Sequence, residues 1–389
     1  MGRQFAAARY LEDGSLDRSF NLDGKVLTDF HSTADEGGGA VAIDGAGRIV
    51  VAGSADRMFA VARYLEKGLL DPDFHHDGKV ITDFRSMTHE RFGGMAIDRW
   101  SRVVVAGYAD RERDPGRFMA VARYTIDGDL DTSFHHDGKV ITDFRSTEGE
   151  FANAVAIDHL GRIVVGGGAE ERIALARYLD NGALDPSFHH DGKVITDFPA
   201  AAEDRVYALA IDHLGRIVAV GRADWNFAVA RYLDDGTLDA GFGDGGRVVT
   251  DFPSTEQEWS SGVSIDRRGR IVVAGTADHT FALARYLDDG SLDASFGAGG
   301  KVRTDFRSSP FDYANAVAHD RDGRIVVCGS AASKFALARY LEDGSLDASF
   351  HHDGKVITDF GSATSEGAGG IAMDLRNRIV LGGWAEVDD

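Results

Sequence analysis

The sequence predicts an all-β fold: a seven-bladed β-propeller with four antiparallel strands per blade, closed by a split (2+2) blade made from the two ends of the chain. Three observations predict it. Short markers recur in a fixed order, they recur seven times at a nearly constant period, and the first and last repeats are out of phase. The marker A-R-Y places its arginine at Arg9, Arg63, Arg123, Arg177, Arg231, Arg285 and Arg339. T-D-F places its aspartate at Asp29, Asp83, Asp143, Asp197, Asp251, Asp305 and Asp359. R-[IV]-V after Gly, Ser or Asn gives Arg48, Arg102, Arg162, Arg216, Arg270, Arg324 and Arg378. Each series steps by 54, 60, 54, 54, 54 and 54 residues, so one copy carries a six-residue insertion, Arg111 to Gly116.

Within a repeat the segments have the length and composition of strands. In the first full copy these are Gly39 to Asp44 (A), Arg48 to Gly53 (B), Phe59 to Leu65 (C) and Lys79 to Phe84 (D). All are short, β-branched or alternating large with small, and bounded by Gly/Asp turns. Blade sheets pack face to face, so both sides of each strand need apolar residues. The small residues of A suit the crowded centre, and D suits the rim. Asp44 to Arg48 reads as a tight hairpin and Leu65 to Lys79 as a longer loop, and no segment has a helical period.

The chain ends predict closure. The sequence starts on a C strand (Phe5 to Leu11) and a D strand (Lys25 to Phe30), and stops after an A strand (Gly369 to Asp374) and a B strand (Arg378 to Gly383). Sharing one blade removes the sheet edges that an open array would leave exposed. The expected organisation is one propeller over 1–389, with blades at about 31–84, 85–144, 145–198, 199–252, 253–306, 307–360, and 361–389 plus 1–30.

The unit F-A-[LV]-A-R-Y-x-x-D-G-[ST]-L-D-x-[SG]-F, followed by G-[KR]-V-x-T-D-F and A-[VL]-A-I-D-x-x-G-[KR]-I-V-V-A-G, resembles the bacterial delta-60 repeat over the whole chain. It is similar, more distantly, to NHL-type propeller repeats. The resemblance implies a β-propeller, commonly in secreted or surface proteins, without a general enzymatic activity. His-His-Asp-Gly, led by His75, His135, His189 and His351, departs from the family, which usually has glycines there.

Composition narrows the partners. The chain has 63 acids against 42 lysines and arginines, a formal charge of −21, which argues against nucleic acid and anionic membranes as partners. Cys328 is the one cysteine, so disulfides and multi-cysteine zinc sites are excluded. No apolar run is long enough for membrane insertion. Met1-Gly2-Arg3-Gln4 leads directly into repeat sequence without a signal-peptide core. The compartment is left open: cytoplasmic as it stands, extracytoplasmic by the family resemblance if a signal has been removed. A monomer is expected.

Strand direction puts D–A loops and B–C hairpins on one face, the top, and A–B hairpins and C–D loops on the bottom. Residues repeated in all blades are expected to be structural, and residues that break the symmetry are better functional candidates. The A-R-Y arginine is expected to pair with the strand A aspartate or the S-L-D aspartate, linking blades. Six residues after each T-D-F phenylalanine stands an acid: Glu36, Glu90, Glu150, Asp204, Glu258, Asp312 and Glu366. Either each caps backbone N–H groups of its own loop, or together they form an acidic mouth that attracts cations. A divalent cation there is the one cofactor left open. The symmetry-breaking candidates are Phe92, Phe151, Tyr207, Trp259 and Tyr313 near the D–A loops, and Tyr108, Arg222, Trp225, His279 and Trp384 after strand B. Aromatic rings at a rim suit sugar or peptide recognition. The insertion is expected to lengthen a B–C loop on the same face. The His-His pairs read as solvated rim residues, because neighbours on an extended segment point apart. With no P-loop, nucleophile elbow or H-E-x-x-H, catalytic residues stay unassigned. The favoured function is a non-catalytic scaffold that binds a glycan, peptide or protein on an acidic top face. The alternatives are a hydrolase or lyase using carboxylates at the channel mouth, or a structural module of a larger surface protein.

Overall fold

Each repeat supplies four strands whose middle two are buried on both faces, because Val, Ile and Phe alternate with Ala and Gly along them. The computed structural model describes residues 2–387 other than 33, 35, 86–89, 112–113, 148, 199–203, 254–257, 308–310 and 362–363, with backbone alone at 111, 114 and 115. Its 28 strands, β1 to β28 in chain order, form seven four-stranded antiparallel sheets and no helix among the described residues. β3 (Gly37–Ile43), β4 (Ile49–Ala55), β5 (Met58–Tyr64) and β6 (Lys79–Thr82) make one sheet in that order. The last sheet runs β2 (Lys25–Thr28), β1 (Gly2–Tyr10), β28 (Ile379–Val387), β27 (Glu366–Met373). The ring is therefore closed as the phase of the chain ends predicts, with β1 and β28 paired from Gly2↔Val387 to Tyr10↔Ile379.

The innermost strands touch one another all the way round: β3, β7 (Arg91–Ile97), β11 (Glu150–Ile157), β15 (Asp204–Ile211), β19 (Trp259–Ile265), β23 (Tyr313–His319) and β27. Each carries a β-bulge against its B strand that the sequence did not announce. The bulged residues are Gly39, Gly93, Asn153, Tyr207, Ser261, Asn315 and Gly369. Opposite each bulge the B strand carries glycine. At Gly167 a Cβ would lie 1.8 Å from the Phe151 carbonyl oxygen, and at Gly221 1.7 Å from that of Arg205. The bulge bends the strand, and only glycine lets the partner backbone follow.

The repeated polar residues hold blades together. Arg63 Nε donates to Asp71 Oδ2 at 2.7 Å inside its own blade, and its Nη1 donates to the Ile126 carbonyl of the next blade. The A-R-Y arginines thus pair with the S-L-D aspartate, and the link between blades is a backbone carbonyl for Arg9, Arg63, Arg285 and Arg339, a carboxylate for Arg123 (Asp180, 3.0 Å) and Arg231 (Asp288, 3.1 Å), and both for Arg177. The strand A aspartate takes the other arginine series, as Asp98 does with Arg102 at 2.5 Å, and Arg102 reaches Asp180 of the next blade at 2.5 Å. Tyr64 Oη meets Thr28 Oγ1 of the preceding blade at 2.7 Å, and Tyr10 donates to Thr358 at 2.7 Å across the closing interface. Cys328 is buried between blades, where desolvation raises its thiol pKa.

Candidate functional site

The top channel mouth is built by the first residues of the inner strands, and side chains alternate there. Three residues before each bulge stands the repeated acid, and its side chain turns inward. All seven are buried, from Glu36 to Glu366. Each accepts the backbone N–H of the T-D-F phenylalanine six residues earlier: Phe30 donates to Glu36 at 2.9 Å, Phe198 to Asp204 at 2.7 Å and Phe306 to Asp312 at 3.0 Å. The same holds for Glu90, Glu150, Glu258 and Glu366. Of the two uses left open by the sequence, the hydrogen bonds describe the loop cap. Desolvation pushes the Glu150 pKa up to about 7 and that of Asp204 up to about 6, and raises Asp312. Backbone N–H donors offset this only in part, and Glu150 Oε2, Asp204 Oδ1 and Asp312 Oδ1 have no hydrogen-bond partner among the described residues.

One residue later the side chains turn outward, and these residues break the symmetry: Gly37, Arg91, Phe151, Arg205, Trp259, Tyr313 and Gly367. Arginine and aromatic rings alternate from Arg91 to Arg205, with the Arg205 guanidinium 5.0 Å from the Phe151 ring centre. Trp259 and Tyr313 stack at 5.9 Å, and Phe311 lies nearly parallel to Tyr313 with the His279 ring edge-on to both. Trp384 fills the side where the mouth has only glycine: a Cβ on Gly37 or Gly367 would meet it at 3.2 or 3.3 Å, and Arg3 lies 4.0 Å over its ring.

A cavity of about 590 Å³ opens at this mouth, and Phe92, Tyr108, Phe151 and Tyr207 line it. Arg91, Arg117 and Arg205 line it too, with Asn153, Ser261 and Asn315 at the bulges. Asn153 Nδ2 donates to the Val206 carbonyl and Asn315 Nδ2 to that of Ala368, each at 2.8 Å, so the bulge side chains also tie neighbouring inner strands. No carboxylate is among the described residues lining the cavity. The expected ring of carboxylates does not line this cavity: the repeated acids turn into their loops, and the described lining is basic and aromatic.

Arg222 and Trp225 lie together, 4.1 Å from guanidinium to ring, at one B–C hairpin. Trp225 and His279 each hold the second position of a two-residue hairpin turn at φ 63 and 55, following Asp224 and Asp278 at φ 46 and 44. Turns with both φ positive fit the strand twist, but a bulky side chain there costs energy. The insertion is not a loop. It extends the hairpin of β8 (Val103–Arg111) and β9 (Asp114–Tyr124), with Asp110 paired to Arg117 and Arg111 to Asp114. Continuing the ladder satisfies its backbone groups and sets Arg117 5.1 Å over the Tyr108 ring. Residues 112 and 113 of the insertion lie outside the described residues.

The His-His pairs are not extended. His75 and His76 have φ 47 and 72, and their ring centres lie 5.7 Å apart. Both therefore sit in a left-handed turn. No group of three metal-ligating side chains occurs among the described residues.

Six segments, 47–74, 101–134, 161–188, 215–242, 269–296 and 321–350, match the profile of a β-propeller domain of unknown function, DUF5122. The matched segments, one in each of six blades, support a β-propeller repeat family. No curated protein matches the chain in sequence. Among solved structures, virginiamycin B lyase from Staphylococcus aureus is similar at 10% identity and TM-score 0.55, covering 90% of this chain and 95% of its own. A putative 6-phosphogluconolactonase from Bacteroides uniformis is similar at 12% identity and TM-score 0.55, covering 92% and 98%. A protein from Lactobacillus plantarum matches at 12% and 0.52, covering 89% and 95%. At these identities the likeness is one of fold.

Proposed function

We propose that this propeller is a non-catalytic binding scaffold and that its top mouth takes an acidic glycan. One observation carries the reading. In a chain of net charge −21, the top cavity brings together three arginines and four aromatic rings with no carboxylate among its described lining residues. Clefts lined by one sign of charge concentrate ligands of the other sign. Guanidinium groups match the planar, two-oxygen geometry of a carboxylate, and ring faces stack on sugar rings at low entropic cost. Asn153, Ser261 and Asn315 add polar atoms at the bulges for sugar hydroxyls. The carboxylates that a lyase or hydrolase would use at this mouth are buried in their loops instead.

Calorimetric titration of the full chain with an oligogalacturonate, its neutral reduced counterpart and an acidic peptide of equal charge tests the reading. The expected result is saturable binding of the uronate alone, weakened by salt. Equal binding of the neutral sugar, or preference for the peptide, refutes it.

A further inference from the structure

The bottom mouth breaks the repeat at a different place. Two residues before the strand A aspartate, six blades have alanine: Ala42, Ala96, Ala156, Ala210, Ala318 and Ala372. One residue before it, five have isoleucine and the last has Met373. These positions pack against each other between blades, since Ala96 shares a core cluster with Ile157, and Ala372 with Ile43. Between β19 and β23 both are replaced at once. Ser264 stands for the alanine and His319 for the isoleucine, and Ser264 Oγ lies 2.7 Å from His319 Nδ1.

Paired polar groups at this depth cost desolvation that the alanine–isoleucine contact avoids, and the other interfaces show that the ring closes without them. His319 lines a separate cavity of about 460 Å³ at the bottom mouth. Ile265 and Met373 give the cavity apolar surface, and Arg267 and Arg321 stand at its rim. The cavity's carboxylates are tied to arginines, as Asp266 is to Arg270 at 2.6 Å and Glu342 to Arg270 at 3.0 Å. Arg267 and Arg321 have no ion pair among the described residues.

We propose that His319 anchors a second ligand site, at the bottom mouth, for a small organic oxyanion: a carboxylate or phosphate on an apolar body. Ser264 is the positioning residue. It occupies Nδ1 and leaves Nε2 as the ring nitrogen that meets the ligand. Arg267 and Arg321 neutralise the anion, and Ile265 and Met373 take the body.

Benzoate and phenyl phosphate are suitable probes, titrated into isotope-labelled full chain with the imidazole nitrogens as readout and affinity by calorimetry. At least one probe is expected to shift His319 Nε2 saturably, and the one that does assigns the head group. His319→Ile restores the residue used by five other blades, keeps the fold, and weakens binding about tenfold or more. Ser264→Ala weakens it several-fold, and Ser264→Thr restores it. Arg91→Ala at the other mouth leaves it unchanged. No saturable response to either probe, or undiminished binding in His319→Ile, overturns the proposal.

Discussion

Arg63 and Arg205 show the two ways this chain uses a guanidinium. Arg63 has a counterpart in every blade, is buried, and meets a carboxylate of its own blade and a carbonyl of the next. Arg205 shares its place in the repeat with Arg91 alone, with glycine or an aromatic ring in the other blades. It lies half-buried at the cavity against the Phe151 ring. Repetition marks groups the ring needs in order to close. Departure from it marks groups that the ring, once closed, presents.

Breaking the repeated side should cost most. Arg63→Ala leaves the buried Asp71 with only the more distant Arg48, at 3.8 Å, as a charged partner and should lower unfolding free energy by about 3 kcal/mol, read by denaturant titration. Gly167→Ala drives a methyl group into the Phe151 carbonyl across the bulge, and should cost about 2–3 kcal/mol in the same assay. Arg205→Ala should invert this pattern. Its unfolding should move by only about 0.5 kcal/mol, while uronate affinity falls about tenfold in calorimetry. The last effect is a slope with pH. The Glu150 pKa is raised to about 7 in the folded state, so the folded chain holds a proton that the unfolded chain releases at lower pH. Its contribution therefore declines as pH rises from the ordinary glutamate range to about 7. Glu150→Gln keeps an acceptor for Phe144 N–H, and denaturation midpoints measured from pH 4 to 8 should show that decline flattened.

The fold was legible because each element is written seven times, so an ambiguous strand in one blade is settled by its copies. The site was legible only in part. Phe151, Tyr207, Trp259 and Tyr313 stood out as departures, and all lie at the top mouth. Arg91 and Arg205 do not stand out in the sequence, because each directly follows an acid that recurs in every blade. On a strand, one residue decides whether a side chain faces the loop or the channel, and nothing in Glu90-Arg91 or Asp204-Arg205 says which. The bulge hid further pairings: Asn153 and Asn315 reach the next blade only because the extra residue re-aims them. The Ser264–His319 pair carried a readable signal, a double exception in an Ala–Ile pattern. The four conspicuous His-His turns mask it, since they hold eight of the chain's 14 histidines.

The shared blade also sets an order of events. Within the ring β1 comes before every other strand in the sequence, and its partner β28 after them. Six complete blades are made before β1 finds its neighbour, so one face of the opening stays exposed throughout synthesis. Joining strands so far apart in sequence carries the largest loop-closure entropy in the molecule, and makes a slow final step of folding. The same pairing then works as a latch: no blade can peel away from either end of the chain until β1 and β28 separate.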